Sequence, residues 1–182
     1  MHSTKIKPVV ALVILFTAAV LTNAAVVGAP GDDPKTPVLP SPLCDHVRVL
    51  EGKLHSRMYA QGVQVYRWDG ASWVLVEPVA TLFANANYTG KLGTHYRGPT
   101  WESNSGSKVV GTRLYGCSPD PTAIPWLLLE TVTATGPGTF SSVTYIQRLN
   151  TSGGLPPAGP GLYIGELVQV PYTAEYFFYR EH

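Results

Sequence analysis

The sequence predicts an all-β, single-domain antiparallel β-sandwich or barrel with long Gly/Pro loops. Three observations carry this. Short segments rich in Val, Tyr, Thr and Trp recur from residue 62 to residue 180. Gly and Pro separate them, as in domains built from short strands and turns. The one stretch that begins like a helix, Ile124 to Val132 behind Pro125, runs into the β-branched tail "TVTAT", which favours a strand.

The elements follow in chain order. Met1 to Lys7 carries Lys5 and Lys7, the run Val9 to Leu21 is apolar, and Thr22-Asn23-Ala24-Ala25 is small and polar. A basic head, a short apolar core and a small-residue exit read as a secretory signal peptide over 1–24. The apolar run is short of the about 20 residues that a membrane span needs. The expected location is secreted, extracellular or cell wall, with no membrane attachment after signal cleavage. Residues 25–43 include "APGDDPKTPVLPSP", whose prolines fix φ and remove donors. That composition predicts an extended, solvated lead-in outside the core. The β-domain then occupies 44–182.

Residues 45–59 read as strand or loop, with Gly52 interrupting any helix. "GVQVYRW" (62–68), the turn dipeptide Asp69-Gly70 and "SWVLVE" (72–77) form a hairpin signature. Further strands are expected at 80–85, 90–96, 107–116, 125–136, 139–150, 161–172 and 174–180. "WLLL" (126–129) and "YFFY" (176–179) show no alternation, which implies strands covered on both faces. "NTSGGLPPAGPG" (150–161) is too long for a tight turn and reads as a surface loop or a lid.

The chain has two cysteines, Cys44 and Cys117. In an exported protein an even pair is expected to form a disulfide. Closing a loop of about 70 residues removes on the order of 4 kcal/mol of unfolded-state entropy in the chain-entropy model. Asn87-Tyr88-Thr89 and Asn150-Thr151-Ser152 are N-glycosylation sequons, both in expected turns.

Charged residues make up 14% of the chain and the formal net charge is +1, which lacks the basic footprint of a nucleic-acid binder. There is no phosphate loop and no Gly-x-Gly-x-x-Gly, so no cofactor is expected. No two histidines stand at the short spacing of a local metal pair, so no metal site is expected. Chemistry concentrates in "GTHYRGPTWESNSGSKVVG" (93–111), around the rigid Gly98-Pro99 step. Pro99 disfavours a helical Gly98, and glycine there opens dihedrals closed to other residues. The chain is expected to turn sharply here, with Trp101 packed inward and His95 and Glu102 facing a common groove. His95, Glu102 and Asp120 are candidate catalytic residues for a small extracellular hydrolase or redox enzyme, although no G-x-S-x-G elbow accompanies them. Tyr96, Arg97 and Trp101 are candidate binding residues.

Five blocks, "GVQVYRWDGASWVLVEPVATLF" (62–83), the 93–111 stretch, "AIPWLLLETV" (123–132), "VTYIQRLNTSGG" (143–154) and "VPYTAEYFFYR" (170–180), stand in one order. Together they resemble the secreted domain-of-unknown-function 3455 family. The resemblance implies an exported β-domain and no particular activity. Of two function classes, the leading expectation is a non-enzymatic module that binds extracellular glycan or cell-wall polymer, or associates with itself. Flat aromatic faces that stack on sugar rings are its physical basis. The alternative is the enzyme centred on His95, Glu102 and Asp120.

Overall fold

The computed structural model describes residues 36–181. The expected signal peptide and the lead-in as far as residue 35 lie outside the described residues. Among the described residues a single 3₁₀ turn, Asp45–Val47, precedes eight strands. These are β1 (Lys53–Trp68), β2 (Trp73–Phe83), β3 (Lys91–Tyr96), β4 (Thr100–Ser103), β5 (Lys108–Cys117), β6 (Trp126–Thr135), β7 (Val143–Gly153) and β8 (Leu167–Arg180). Each pairs antiparallel with the next, and β8 returns to β1, so the sheet closes into an up-and-down barrel. Closure leaves no free sheet edge. An eight-stranded barrel is just wide enough to be filled by side chains or to hold one small ligand. Among the described residues no helix is long and apolar enough to cross a membrane.

Period-2 alternation sorts the side chains into two cores. The lumen holds Met58, Ala60, Leu82, Trp101, Ile146, Tyr176 and Phe178, among others. A second cluster lies outside the wall, where Leu39, Cys44 and Val47 pack against Leu128, Leu149, Phe177 and Tyr179. Both apolar runs are therefore two-faced: Leu127 and Leu129 reach the lumen side while Trp126 and Leu128 reach the outer cluster. Tyr176 and Phe178 likewise point in, with Phe177 and Tyr179 out. Gln147, buried in that outer layer, donates to the Val47 carbonyl at 2.6 Å and accepts from the Tyr179 hydroxyl at 2.6 Å. Leu39 corrects the expectation of a lead-in wholly outside the core. The end of that segment is held down by Cys44, whose disulfide to Cys117 spans a Cα–Cα distance of 5.5 Å.

Several expected strands merge or change. Segments 72–77 and 80–85 are one strand, β2, continuing through Pro78. The 174–180 strand begins earlier, at Leu167, and runs through Pro171, whereas residues 161–166 are not strand. Both prolines lie where only one neighbouring strand is paired. β3 first meets β2 at Ala80, and the last β7 partner of β8 is Tyr172. At such places a missing N–H costs no ladder bond on the open side. Residues 124–132 contain no helix; β6 begins at Trp126. The ambiguous 45–59 region resolves into the 3₁₀ turn and the start of β1.

The two ends of the barrel differ. At one end the β6–β7 connection folds Phe140 into the lumen, fully buried and 4.8 Å from the Phe178 ring. That end is plugged. Loops 69–72, 97–99, 118–125 and 154–166 gather at the other end. The long Gly/Pro loop there is pinned beside the β1–β2 hairpin: the Trp73 indole donates to the Gly159 carbonyl at 2.8 Å, and Trp68 exchanges backbone bonds with Gly165 and Glu166.

Candidate functional site

The open end contains a cavity of about 410 Å³ that reaches into the lumen. It falls within the about 300–1,000 Å³ range of ligand pockets. All the strands lend residues to it: Gln64 and Tyr66 from β1, Val76 and Pro78 from β2, His95 from β3, Trp101 from β4, Arg113 from β5, Leu127 and Leu129 from β6, Arg148 from β7 and Tyr176 from β8. The 97–99 turn contributes Arg97, Gly98 and Pro99 to the rim.

The turn sets the geometry. Gly98 has φ +99, a conformation L side chains rarely adopt, and it reverses the chain as expected from its place before Pro99. The reversal places His95 opposite Trp101 and Thr94 opposite Glu102. Directly opposed residues share a face, so His95 and Trp101 both enter the lumen. Their rings stack at 4.4 Å with 14° between planes, and the Tyr176 ring meets both edge-on, at 5.1 Å and 5.3 Å.

Glu102 follows Trp101 and points the other way. It lies on the outer surface, where it accepts from the Tyr96 hydroxyl at 2.7 Å and pairs with Lys108 at 3.3 Å. The Tyr96 bond, then Lys108, holds its carboxyl below the usual carboxylate range. His95 and Glu102 therefore do not share a groove. Asp120 is exposed in the β5–β6 loop, accepting from the Thr122 N–H at 2.8 Å and hydroxyl at 2.7 Å, a turn-forming role that draws its carboxyl down. The structure thus separates His95, Glu102 and Asp120. Of the candidate binding residues it brings Trp101 and Arg97 to the cavity and leaves Tyr96 on the outer face.

His95 is 2% exposed, and burial pushes its pKa down from 6.5 to about 3. The ring is neutral. Its Nδ1 lies 2.9 Å from the Thr100 carbonyl, which accepts only, so Nδ1 carries the proton and Nε2 is a bare acceptor. The other buried polar groups are mainly donors. The Trp101 indole N–H and the Gln64 amide nitrogen have no hydrogen-bond partner, while the Tyr172 and Tyr176 hydroxyls lie against each other, and Tyr176 against Arg148, without a bond of regular geometry. Burial raises the phenols of Tyr66, Tyr172 and Tyr176, and the Arg148 charge acts on each in the opposite sense. Unpaired buried polar atoms are rare in native proteins, and each costs about 1–3 kcal/mol. The Gln64 and Trp101 groups stand in the wall of one lumen.

Among the described residues no cluster of three or more His, Cys, Asp and Glu is placed to hold a metal ion. The sequons are placed as follows. Asn87 is exposed in the β2–β3 turn, and Asn150 is exposed at a register shift in β7, with φ +49, rather than in the expected turn.

Arg148 and Tyr176 belong to this site and are not among the sequence candidates for it; Tyr176 is legible only as part of the covered run "YFFY". A usable signal exists for Arg148. In "VTYIQRL" it shares strand parity with Ile146, which is fully buried in the lumen. A lone arginine on the apolar face of a strand is a candidate for a cavity.

The family model described as "Protein of unknown function (DUF3455)" matches residues 50–180. No curated protein and no solved structure matches the chain.

Proposed function

We propose, for a chain that belongs to the DUF3455 family of proteins of unknown function, an exported, non-enzymatic binding barrel whose small ligand sits in the open end of the lumen. The observation that carries this reading is the cavity of about 410 Å³ at the open end, walled largely by apolar side chains and carrying a few polar ones, among them Gln64, Arg113 and Arg148. Polar groups fixed in an apolar concavity select and orient a ligand. A catalytic reading has less support, because Glu102 and Asp120 stand outside the cavity and His95 is a neutral acceptor without an acid beside it. An extracellular glycan or wall-derived ligand fits this reading as a terminal ring or substituent entering the mouth. The outer aromatic pair Trp68 and Trp73 is half-buried beside residues 156–160 with 57° between the ring planes, so it presents no coplanar face to a polymer. Export rests on the signal-like N-terminus, and Asn87 and Asn150 are the acceptors for any glycan added in that route.

The neutral fluorophore N-phenyl-1-naphthylamine tests the cavity. The chain is expected to bind it in one-to-one stoichiometry, and Leu129→Trp, which fills the lumen, is expected to abolish the enhancement while the β-sheet circular dichroism persists. Equal enhancement by both proteins, or none by either, would remove the reading. A second reading, self-association, is favoured by the exposed tip Leu162, Tyr163 and Ile164 beside Leu167, all more than 60% exposed. Light scattering of the full chain separates it from ligand binding.

A further inference from the structure

The charges around the cavity do not balance. Three arginines, Arg97, Arg113 and Arg148, line it with one carboxylate, Glu77. Glu77 lies 3.8 Å from Arg97. Among the described residues no carboxylate comes within ion-pair distance of Arg113 or Arg148. Arg148 is half-buried, and its Nε and Nη2 both donate to the Pro125 carbonyl, at 3.1 and 2.9 Å. A guanidinium has five N–H donors in a fork, so most of its capacity is unspent. A cation in apolar surroundings without a counter-charge is costly unless something pairs with it. Gly116 adds a second sign of placement. A Cβ there would meet the Arg113 Nη2 at 2.6 Å, so the bare backbone leaves room for that guanidinium beside Leu127 at the mouth.

We propose that the cavity takes an anionic amphipathic molecule, with its carboxylate or sulfonate on Arg148, assisted by Arg113, and its apolar body against Leu127, Leu129 and Pro78. The proposal rests on the binding reading above and names the ligand class for that site. The hydrogen-bond inventory agrees with the charge. Around the lumen the unpaired Trp101 N–H and Gln64 amide nitrogen donate and the His95 Nε2 accepts, so donors, the arginines included, outnumber acceptors. An anionic group is the acceptor-rich partner that also neutralises arginine, and the planar fork favours a carboxylate or sulfonate held by two bonds.

Two probes of one shape separate charge from shape: 8-anilinonaphthalene-1-sulfonate and its neutral counterpart N-phenyl-1-naphthylamine, each titrated into the full chain. The sulfonate is expected to bind about tenfold or more tighter, and added salt is expected to weaken it selectively. Arg148→Gln is expected to weaken the sulfonate roughly 10- to 100-fold, the size of a lost charge-assisted bond, with little change for the neutral probe. Because Arg148 also holds the Pro125 carbonyl, Arg113→Gln serves as a second variant, from an exposed position, and should weaken the sulfonate alone by a smaller factor. Equal affinities for the two probes, or a folded Arg148→Gln that keeps full sulfonate affinity, would overturn the anion assignment. If Leu129→Trp abolishes neutral-probe binding while no sulfonate preference appears, only this inference falls. If Leu129→Trp leaves both probes bound, the binding reading falls with it.

Discussion

Trp101→Ala is expected to destabilise the chain by about 3–5 kcal/mol, the range for removing a large buried aromatic. The ring is 1% exposed and forms the junction between the cavity and the filled part of the lumen. It stacks on His95, meets Tyr176 and Phe178 edge-on, and lies 3.4 Å from the place a Cβ on Gly111 would occupy. No neighbour is free to fill the void, since Tyr176 and Phe178 are themselves packed at 0% exposure. Alanine would also leave the buried His95 ring without its stacking partner. Urea unfolding of wild type and variant reads the effect. Tyr115→Ala, a change at a residue 54% exposed, is the control expected to stay within about 0.5 kcal/mol. A loss below about 1 kcal/mol for Trp101→Ala would mean that the ring is peripheral to the core.

Removing the disulfide by Cys44→Ala with Cys117→Ala is expected to cost about 2–5 kcal/mol. The bond joins residues 73 apart, and the long closed loop restricts the unfolded chain. It also holds the N-terminal segment over the wall. Without it, Leu39 and Val47 keep their places only through their own burial, the Gln147 bond to the Val47 carbonyl and the His46 bond to the Gly116 carbonyl at 3.0 Å. Loss of that cover would expose Phe177, Tyr179 and Leu128 to water. The expected signature is a lowered urea midpoint together with faster proteolysis in residues 36–50. Two alkylatable thiols on the untreated protein would show that the bond does not form. An unchanged midpoint in the double variant would show that it contributes nothing.

Much of the wall was legible because strands advertise themselves locally. The Trp68–Trp73 hairpin follows from its Asp-Gly turn, where the Asp69 carboxylate accepts from the N–H groups of Ala71 and Ser72 at 2.8 and 2.7 Å. The disulfide follows from an even pair of cysteines behind a signal-like N-terminus. The runs "WLLL" and "YFFY" announced two covered faces, and the structure supplies both, the lumen and the N-terminal cap. Closure was not legible. It depends on β1 pairing with β8 across more than a hundred residues, and no local pattern separates a barrel from a sandwich. Pro78 and Pro171 hid two strand continuations, because their tolerance depends on which neighbours are absent. Within the site, the Gly98-Pro99 turn and inward Trp101 were readable from residue type. The side of Glu102 was decided by register: one position separates it from Trp101, and one position on a strand is the opposite face. Arg148 escaped notice because its meaning comes from seven other strands converging around it.

The central claim is that ligand enters the lumen, and backbone and side-chain nitrogen–proton spectra of the chain labelled with nitrogen-15 test it directly. On addition of N-phenyl-1-naphthylamine, the Trp101 indole and His95 imidazole resonances are expected to move, while those of Trp68, Trp73 and Trp126 stay in place. A stationary Trp101 with shifts confined to the exposed tip at residues 162–164 would contradict the claim and assign the apolar probe to the outer surface.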